Sequence, residues 1–174
     1  MLTSPVLLHE TDDPALFRRV LGHCPAGVVG ITAVDQTGGP VGLVVSSFTS
    51  VSLDPPLVAF LPTKSSTTFP KIRDSGSFCA NVLAAAQRDL CRAFAVSGGD
   101  KFAGVDWSPG PTGSPILAGA VAWIDCDIDA VHDAGDHEIV VGRVRALAAE
   151  PADPSALVFF RGGYRAIASE PSAT

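Results

Sequence analysis

The sequence contains 174 residues, of which 47% are hydrophobic and 17% are charged, so it predicts one folded domain with a sizeable core rather than a disordered chain. The formal net charge is −6 and no basic run is present, which argues against binding to nucleic acid or to an anionic membrane surface. No apolar run reaches the roughly 20 residues that a membrane span needs, and the first residues lack the basic region of a signal peptide, so we predict a cytoplasmic protein.

The chain opens with a predicted arm at 1–12 and closes with a predicted flexible tail at 169–174, which leaves one domain at 13–168. The first predicted element is a helix, because Asp13 is a favoured N-cap residue and Pro14 a favoured first helical residue. Its apolar residues recur at helical spacing and form one face, with Leu16, Phe17, Val20 and Leu21 as its members.

Two strands are predicted next, at 27–34 and from Val41 onward, with a turn over 35–40 between them. The segment 41–61 then places a run of hydroxyl residues, 46–50, between two apolar stretches. The second of these stretches is predicted to be a buried strand. Small hydroxyl side chains allow a ligand close to the backbone and can donate or accept hydrogen bonds. We therefore predict that a cofactor lies across this segment.

Residues 62–68 are rich in hydroxyl groups, contain Lys64, and precede a predicted helix that begins near Phe69. A helix N-terminus offers unpaired N–H groups and the positive end of a dipole, both of which favour a phosphate. Two interpretations stay open at this point: a phosphate site, or a helix that is simply well capped.

A strand is predicted at 78–83, followed by a helix at 85–96 with three candidates for the core, Leu90, Phe94 and Ala86. The segment 97–119 is rich in Gly and Pro, so we predict a long loop of the kind that often forms a lid or a binding edge. Binding chemistry within it is carried by Asp100, Lys101, Phe102, Asp106 and Trp107.

The clearest predicted strand, 121–131, alternates apolar residues with Asp125, Asp127 and Asp129. This spacing allows a metal site or one solvated strand face, and we favour the solvated face because the pleat alone produces the spacing. A strand at 139–147 is predicted to follow, and its arginines would pair with the aspartates across the two strands. A final pair of short strands is predicted at 157–160 and 164–167.

The turn at 135–138 contains the most interesting histidine, His137, which stands between Asp136 and Glu138. Either carboxylate would orient the imidazole or hold its charge. The alternative interpretation is an ordinary turn histidine without a functional role.

Six to eight short strands with inserted helices and no repeated βαβ rhythm predict a mainly β fold, an antiparallel barrel with helical excursions. No G-x-G-x-x-G, G-x-S-x-G, H-E-x-x-H or P-loop motif is present, so a Rossmann domain and the common hydrolase sites are unsupported. The cysteines show no C-x-x-C pair and are predicted to be reduced and mostly buried: Cys24, Cys79, Cys91 and Cys126.

Seven segments, in this order, resemble the short-chain flavin reductases, the reductase components of two-component flavin-dependent monooxygenases. They are GVVGITAV, VSSFTSVSLDPPLVAF, KSSTTFPKI, FCANVL, DKFAGVDW, AGDHEIVVGRV and FFRGGYR. The resemblance runs from Phe17 to Ile167. It implies a homodimeric split β-barrel that binds FMN or FAD and oxidises NADH or NADPH. It also implies a partner oxygenase that receives the reduced flavin by diffusion; from the residues themselves we predict no metal site.

The resemblance assigns roles to individual residues as well. Val45, Ser46, Ser47 and Thr49 would line the flavin ring and ribityl chain, and His137 would be the catalytic residue near the nicotinamide. The remaining predicted cofactor contacts are Lys64, Ser65, Ser66 and Thr67 at the phosphate, Asn81, Val82 and Leu83 at the ring, Lys101 and Phe102 from the loop, and Tyr164 and Arg165 at the rim.

Three functional hypotheses follow. The first is an NAD(P)H-dependent flavin reductase that supplies reduced FMN or FAD to a monooxygenase. The second is a flavin-binding split barrel without reductase activity, a carrier or a sensor. The third is a barrel that binds another small molecule and no flavin.

Overall fold

The computed structural model describes residues 13–150 and 154–167. The predicted arm at 1–12 and the predicted tail at 169–174 lie outside the described residues. Within the described ranges no helix is long and apolar enough to cross a membrane. The helices are α1 (Pro14–Leu21), α2 (Phe69–Ser75) and α3 (Arg88–Ala95), and a 3-10 turn at Ala85–Gln87 precedes α3.

Strands make up most of the regular structure. In chain order they are β1 (Ala26–Gly27), β2 (Val29–Val34), β3 (Pro40–Val45), β4 (Thr49–Leu53), β5 (Pro56–Phe60), β6 (Ser77–Val82), β7 (Trp107–Pro109), β8 (Pro115–Leu117), β9 (Ala122–Ala134), β10 (His137–Ala149), β11 (Leu157–Phe160) and β12 (Gly163–Ala166). Seven of them form one antiparallel sheet in the order β3-β2-β6-β9-β10-β5-β4. A three-stranded sheet, β1-β11-β12, and a ribbon, β7-β8, complete the set.

The two edge strands of the main sheet, β3 and β4, are consecutive in the chain and are joined by residues 46–48 alone. Such a link spans at most about 14 Å between Val45 and Thr49, so the sheet has to curl until its edges approach each other. We call the gap between β3 and β4 the seam, because no ladder of backbone hydrogen bonds closes it. The predicted fold class, a mainly β antiparallel split barrel with inserted helices, is confirmed.

The interior of the barrel is filled by apolar side chains from six of its strands and from α2. The Phe60 ring meets the Phe78 ring edge-on at 5.0 Å and the Phe69 ring at 6.1 Å, the arrangement that aromatic pairs prefer. A Cβ at position 142 would lie 2.5 Å from the Phe78 ring, so β10 requires Gly142 to pass this close. A second cluster packs α3 against the smaller sheet through Leu83, Cys91, Phe94, Leu117 and Leu157.

The three aspartates of β9 do not share one solvated face. Asp127 and Asp129 do pair with Arg145 and Arg143 of β10, as predicted. Asp125 is instead fully buried, where it accepts hydrogen bonds from the Thr112 N–H and hydroxyl, both at 2.7 Å. The solvated-face interpretation is wrong for Asp125 because this carboxylate anchors the β7–β8 connection. Among the described residues, no cluster of His, Cys, Asp or Glu has the makings of a metal site.

The structure differs from other sequence-based expectations as well. The segment 97–119 is not simply a loop, since it contains the ribbon β7–β8. These strands were not predicted because they contain proline, which is unfavourable in most strand positions.

Helix α1 forms as predicted, with Asp13 accepting from the Ala15 N–H at 2.8 Å, but none of its residues is buried. In the second predicted helix Phe94 is buried as expected, whereas Ala86 is exposed. All four cysteines are free, and all but Cys24 are buried.

Candidate active site

A cleft of about 860 Å³ opens beside the seam. Its walls come from separate parts of the chain: the end of β3 with residues 46–47, the segment 61–68, the β9–β10 turn, helix α1, and the end of α3. Eight of the residues predicted from the sequence line this cleft: Val45, Ser46, Ser47, Ser65, Ser66, Thr67, Lys101 and His137.

The hydroxyl run after β3 divides into two roles. The Ser47 hydroxyl accepts from the Leu61 N–H at 3.0 Å and lies 3.2 Å from the Leu61 carbonyl oxygen, to which it can donate. It therefore ties the link across the seam to the end of β5. Ser46 beside it is exposed, and its hydroxyl bonds to no residue in the described ranges. Ser46 keeps its hydrogen-bonding capacity for a ligand. The exposed Thr49 at the start of β4 donates to the Ser50 carbonyl at 3.3 Å and does not line the cleft.

The segment 63–68 is shaped by the start of α2. The Ser66 hydroxyl accepts from the Phe69 N–H at 3.1 Å and the Thr68 N–H at 3.3 Å, so it holds the start of the helix, whose N-cap residue, Thr68, makes no capping bond with its side chain. The Ser65 hydroxyl donates to the Thr63 hydroxyl at 3.2 Å. Thr67 is exposed in the cleft and bonds to no described residue. Neighbouring hydroxyls thus have different tasks: Ser66 supports the start of the helix, and Thr67 is available to a ligand.

Lys64 does not line the cleft. Its backbone N–H donates to the Asp136 carbonyl at 2.9 Å, and its ammonium pairs with Asp133 at 2.5 Å. Both bonds dock the segment 62–66 onto the β9–β10 turn, where Thr63 also forms a bridge with His137. In this arrangement Lys64 positions the hydroxyl segment.

His137 is the histidine of the cleft, and its side chain is 38% exposed. Its Nδ1 lies 2.7 Å from the Asp136 carboxylate. The hydrogen bond from His137 is the main cause that lowers the pKa of Asp136, with the histidine charge second. An ionised carboxylate can only accept, so Nδ1 donates. Nε2 then remains available, as an acceptor in the neutral ring or as a donor in the charged ring.

Lys101 lies at the base of the cleft, where its ammonium is fully engaged within the protein. It donates to the Gly42 carbonyl and the Phe94 carbonyl, each at 3.0 Å, and to the Thr68 hydroxyl at 3.2 Å. Burial lowers the pKa of this ammonium. An ammonium has three N–H donors, so Lys101 joins β3, α3 and the start of α2 and has no donor left for a ligand.

Three other predicted residues are held in the interior. Asn81 is fully buried, and its side-chain oxygen accepts from the Leu117 N–H at 2.8 Å. Its amide nitrogen lies 3.0 Å from the Thr32 hydroxyl and 3.2 Å from the Pro115 carbonyl. Leu83 is fully buried in the second cluster, and Phe102 packs against Phe94 at 5.0 Å between ring centroids. The side chains of Asn81, Leu83 and Phe102 thus stabilise the fold and do not line the cleft, and Val82 packs against the barrel core.

Tyr164 and Arg165 lie on the far side of the β3 end. Tyr164 lines a smaller cavity of about 160 Å³ that also touches Val44 and Ser46. Its hydroxyl lies 3.2 Å from the Cys91 thiol, and the hydrogen bond between these two groups is the main cause that raises the pKa of Tyr164. The exposed Arg165 donates to the Tyr164 carbonyl at 2.8 Å. The structure does not bring either residue into the cleft.

Sequence reasoning missed the walls formed by α1 and α3. Pro14, Phe17, Arg18 and Leu21 of α1 all line the cleft, as do residues 94–97. An apolar helical face is normally assigned to a core, and that assignment concealed the exposed face of α1. One feature of the sequence did point to a binding surface: Arg18 lies beside the short apolar face of α1.

Residues 21–168 match the family described as the flavin reductase like domain. The chain is 54% identical to a flavin reductase from Pseudomonas putida over 94% of this chain and 95% of that protein. It is 48% identical to the reductase subunit of a flavin-dependent monooxygenase from Rhodococcus jostii, over 95% of this chain and 83% of that protein. The solved NADH:FAD oxidoreductase of Streptomyces globisporus, in complex with NAD and FAD fragments, superposes with a TM-score of 0.86 at 36% identity, covering 97% of this chain and 99% of that chain.

Proposed function

Because the chain belongs to the family of flavin reductase-like domains, we propose that it is an NAD(P)H-dependent flavin reductase. It would transfer a hydride from NADH or NADPH to FMN or FAD and supply reduced flavin to a partner monooxygenase. The observation that carries this proposal is one cleft that brings together the end of β3, unused hydroxyls of 46–67 and His137.

The cleft suits a flavin in both shape and donor set. Leu43, Val45 and Leu61 offer apolar surface for a planar ring, while Ser46 and Thr67 offer hydroxyls that bond to none of the described residues. We assign the phosphate to the segment 65–67, with its exposed Thr67 and the hydroxyl of Ser65, and the ring and ribityl chain to 45–47. When bound, the flavin supplies the acceptor for the hydride, which is chemistry of the cofactor itself.

The residues of the chain are left with binding and orientation. Ser47 holds the link across the seam against Leu61, which fixes one wall of the cleft. Lys101 fixes the base through its three hydrogen bonds. Rigid walls of this kind favour the close approach of two rings, which is the main contribution a protein makes to hydride transfer.

His137 is assigned the catalytic position beside the nicotinamide. Its hydrogen bond to Asp136 fixes the ring and leaves Nε2 to the cleft. There Nε2 can bind the nicotinamide carboxamide or hold a proton near the charge that develops on reduction. No other histidine in the described ranges lines this cleft.

The proposal is tested by steady-state oxidation of NADH and NADPH with added FMN and FAD, in the four combinations. We expect nicotinamide oxidation far above the free-flavin background in at least one combination. Flavin fluorescence quenching without turnover would support the flavin-binding carrier or sensor instead. Absence of both quenching and turnover would support the third hypothesis, a barrel that binds another small molecule and no flavin.

Replacing His137 tests its role separately. We expect His137→Ala to lower kcat/KM for the nicotinamide by roughly a hundredfold, the lower end of the range for loss of a proton-handling group, while the Kd of the flavin is unchanged. His132→Ala is a matched control, since His132 is an exposed histidine of the same hairpin that does not line the cleft. Equal kinetics of the two variants would show that His137 is an ordinary turn residue without a role in catalysis.

We further propose a cytoplasmic homodimer that works with an oxygenase component through diffusing reduced flavin. Two large apolar side chains on edge strand β4, Val51 and Leu53, are 53% and 95% exposed, and exposed apolar groups of this size commonly mark an interface. Light scattering coupled to size exclusion would measure the mass. A monomeric mass at micromolar concentration would reject the dimer.

A further inference from the structure

Helix α1 presents a ligand-binding surface to the cleft rather than a core face to the barrel. Phe17 and Leu21 are 54% and 56% exposed, and both line the cleft together with Pro14 and Arg18. We call these four residues the α1 wall. An aromatic ring, an aliphatic side chain and a guanidinium on adjacent turns form a surface that can contact a base and an anion together.

The charges in the cleft leave Arg18 as the group available to an anion. The lysine and arginine side chains among the described lining residues are Arg18 and Lys101. All three N–H donors of the Lys101 ammonium are already bonded within the protein. Arg18 makes no side-chain hydrogen bond or ion pair with any described residue. It acts on Asp136 at longer range, as the smallest of the causes that shift the pKa of that carboxyl, the first being the His137 hydrogen bond.

The position of Arg18 distinguishes it from the proposed flavin phosphate site. That site rests on hydroxyls of 65–67, on a different wall of the same cleft. A mononucleotide has one phosphate, and the hydroxyl segment already accounts for it. A second site for an anion, with an aromatic ring one residue away, therefore calls for a ligand with a second nucleotide.

We propose that the α1 wall binds the adenosine diphosphate portion of a dinucleotide, with Arg18 on the diphosphate and Phe17 against the adenine. This inference rests on the proposed flavin reductase function, which supplies the cleft with dinucleotides. FAD and NAD(P)H carry the same adenosine diphosphate, so the chemistry of the wall is common to both. Arginine suits this role because its planar guanidinium donates two parallel hydrogen bonds to phosphate oxygens.

The test compares Arg18→Ala with Arg19→Ala. Arg19 is the exposed neighbour on the same helix, it carries the same charge, and it does not line the cleft. For each variant and the unmodified protein, the Kd of FAD and of FMN, the KM of NADH and of NADPH, and inhibition by free ADP would be measured. A conservative variant, Arg18→Lys, keeps the charge but not the fork of donors.

We expect Arg18→Ala to weaken inhibition by ADP about tenfold, with Arg18→Lys intermediate and Arg19→Ala unchanged. If the bound dinucleotide is FAD, the Kd of FAD rises about tenfold while that of FMN is unchanged. If it is the nicotinamide donor, its KM rises about tenfold, both flavin affinities are unchanged, and reduced nicotinamide mononucleotide shows no difference between variants. Added salt should weaken ADP inhibition of the unmodified protein more than that of Arg18→Ala.

The proposal is overturned if Arg18→Ala matches Arg19→Ala in every measurement, or if it weakens FMN and FAD equally, which would assign Arg18 to the phosphate common to both flavins. Failure of the proposed function has a different signature, because the unmodified protein would then show no nicotinamide oxidation with any flavin.

Discussion

The barrel wall around β2, β6 and β9 and the cleft beside the seam are both rich in polar side chains, yet they use them in opposite ways. In the wall, Asn81, Thr32 and Asp125 are fully buried and each bonds to other parts of the protein. In the cleft, Ser46, Thr67 and Arg18 are exposed, and their side chains bond to no described residue. Residue type alone therefore does not identify a ligand site. Unused hydrogen-bonding capacity at a concave surface does.

The largest effect is expected from the wall. Asn81→Leu would leave the Leu117 N–H without its acceptor and remove a donor shared by Thr32 and Pro115. We expect the free energy of unfolding in urea to fall by about 3 kcal/mol, since a buried polar group that loses its partner costs this much in a network. The Kd of flavin for the folded protein should not change. Unaltered stability with weaker flavin binding would move Asn81 from the wall to the ligand site.

The next effect is a pH dependence of the same wall. Burial is the main cause that raises the pKa of the Cys126 thiol to about 12 from 9.0. A group whose pKa is higher in the folded state stabilises fully below its unfolded pKa and loses that contribution as the pH rises toward the folded value. Between pH 8 and pH 10 the unmodified protein should lose about 1.4 kcal/mol more stability than Cys126→Ala. Identical losses would mean that this thiol reaches solvent in the folded protein.

The smallest effect comes from two adjacent serines that belong to the two classes. Ser47→Ala removes the bonds to Leu61 and should lower the free energy of unfolding by about 1 kcal/mol. Ser46→Ala should change stability by less than about 0.5 kcal/mol but weaken flavin binding a few-fold. Urea unfolding and fluorescence titration of both variants measure the difference. An inverted result, with Ser46 stabilising and Ser47 binding, would break the comparison.

Sequence reasoning was most successful where a local rule decides the outcome. Branched residues and turn signals located most of the strands, and the Asp13-Pro14 pair located the start of α1 correctly. The resemblance of seven ordered segments identified the family, which the match over residues 21–168 confirms. The turn at Gly135 and Asp136, with His137 after it, was likewise readable from the chain.

Tertiary context decided the rest. Asp125 looks like its neighbours Asp127 and Asp129 in the sequence, and its burial depends on Thr112 arriving from a distant ribbon. A lysine such as Lys101 is by residue type a candidate for binding an anion. In the structure, however, three acceptors from separate segments bond to all of its N–H donors. The role of α1 was missed as well, because an amphipathic helix shows nearly the same pattern whether its apolar face meets a core or a cleft.

The seam has a kinetic consequence. Since β3 and β4 are joined by 46–48 but not by a ladder of backbone hydrogen bonds, their separation can widen without unzipping any part of the sheet. The Ser47–Leu61 contact is a small barrier to that widening. In the proposed enzyme reduced flavin has to depart once per turnover, and product departure limits the rate of many enzymes. A seam that opens and closes in this way would shorten the residence time of the ligand while the rest of the barrel stays rigid.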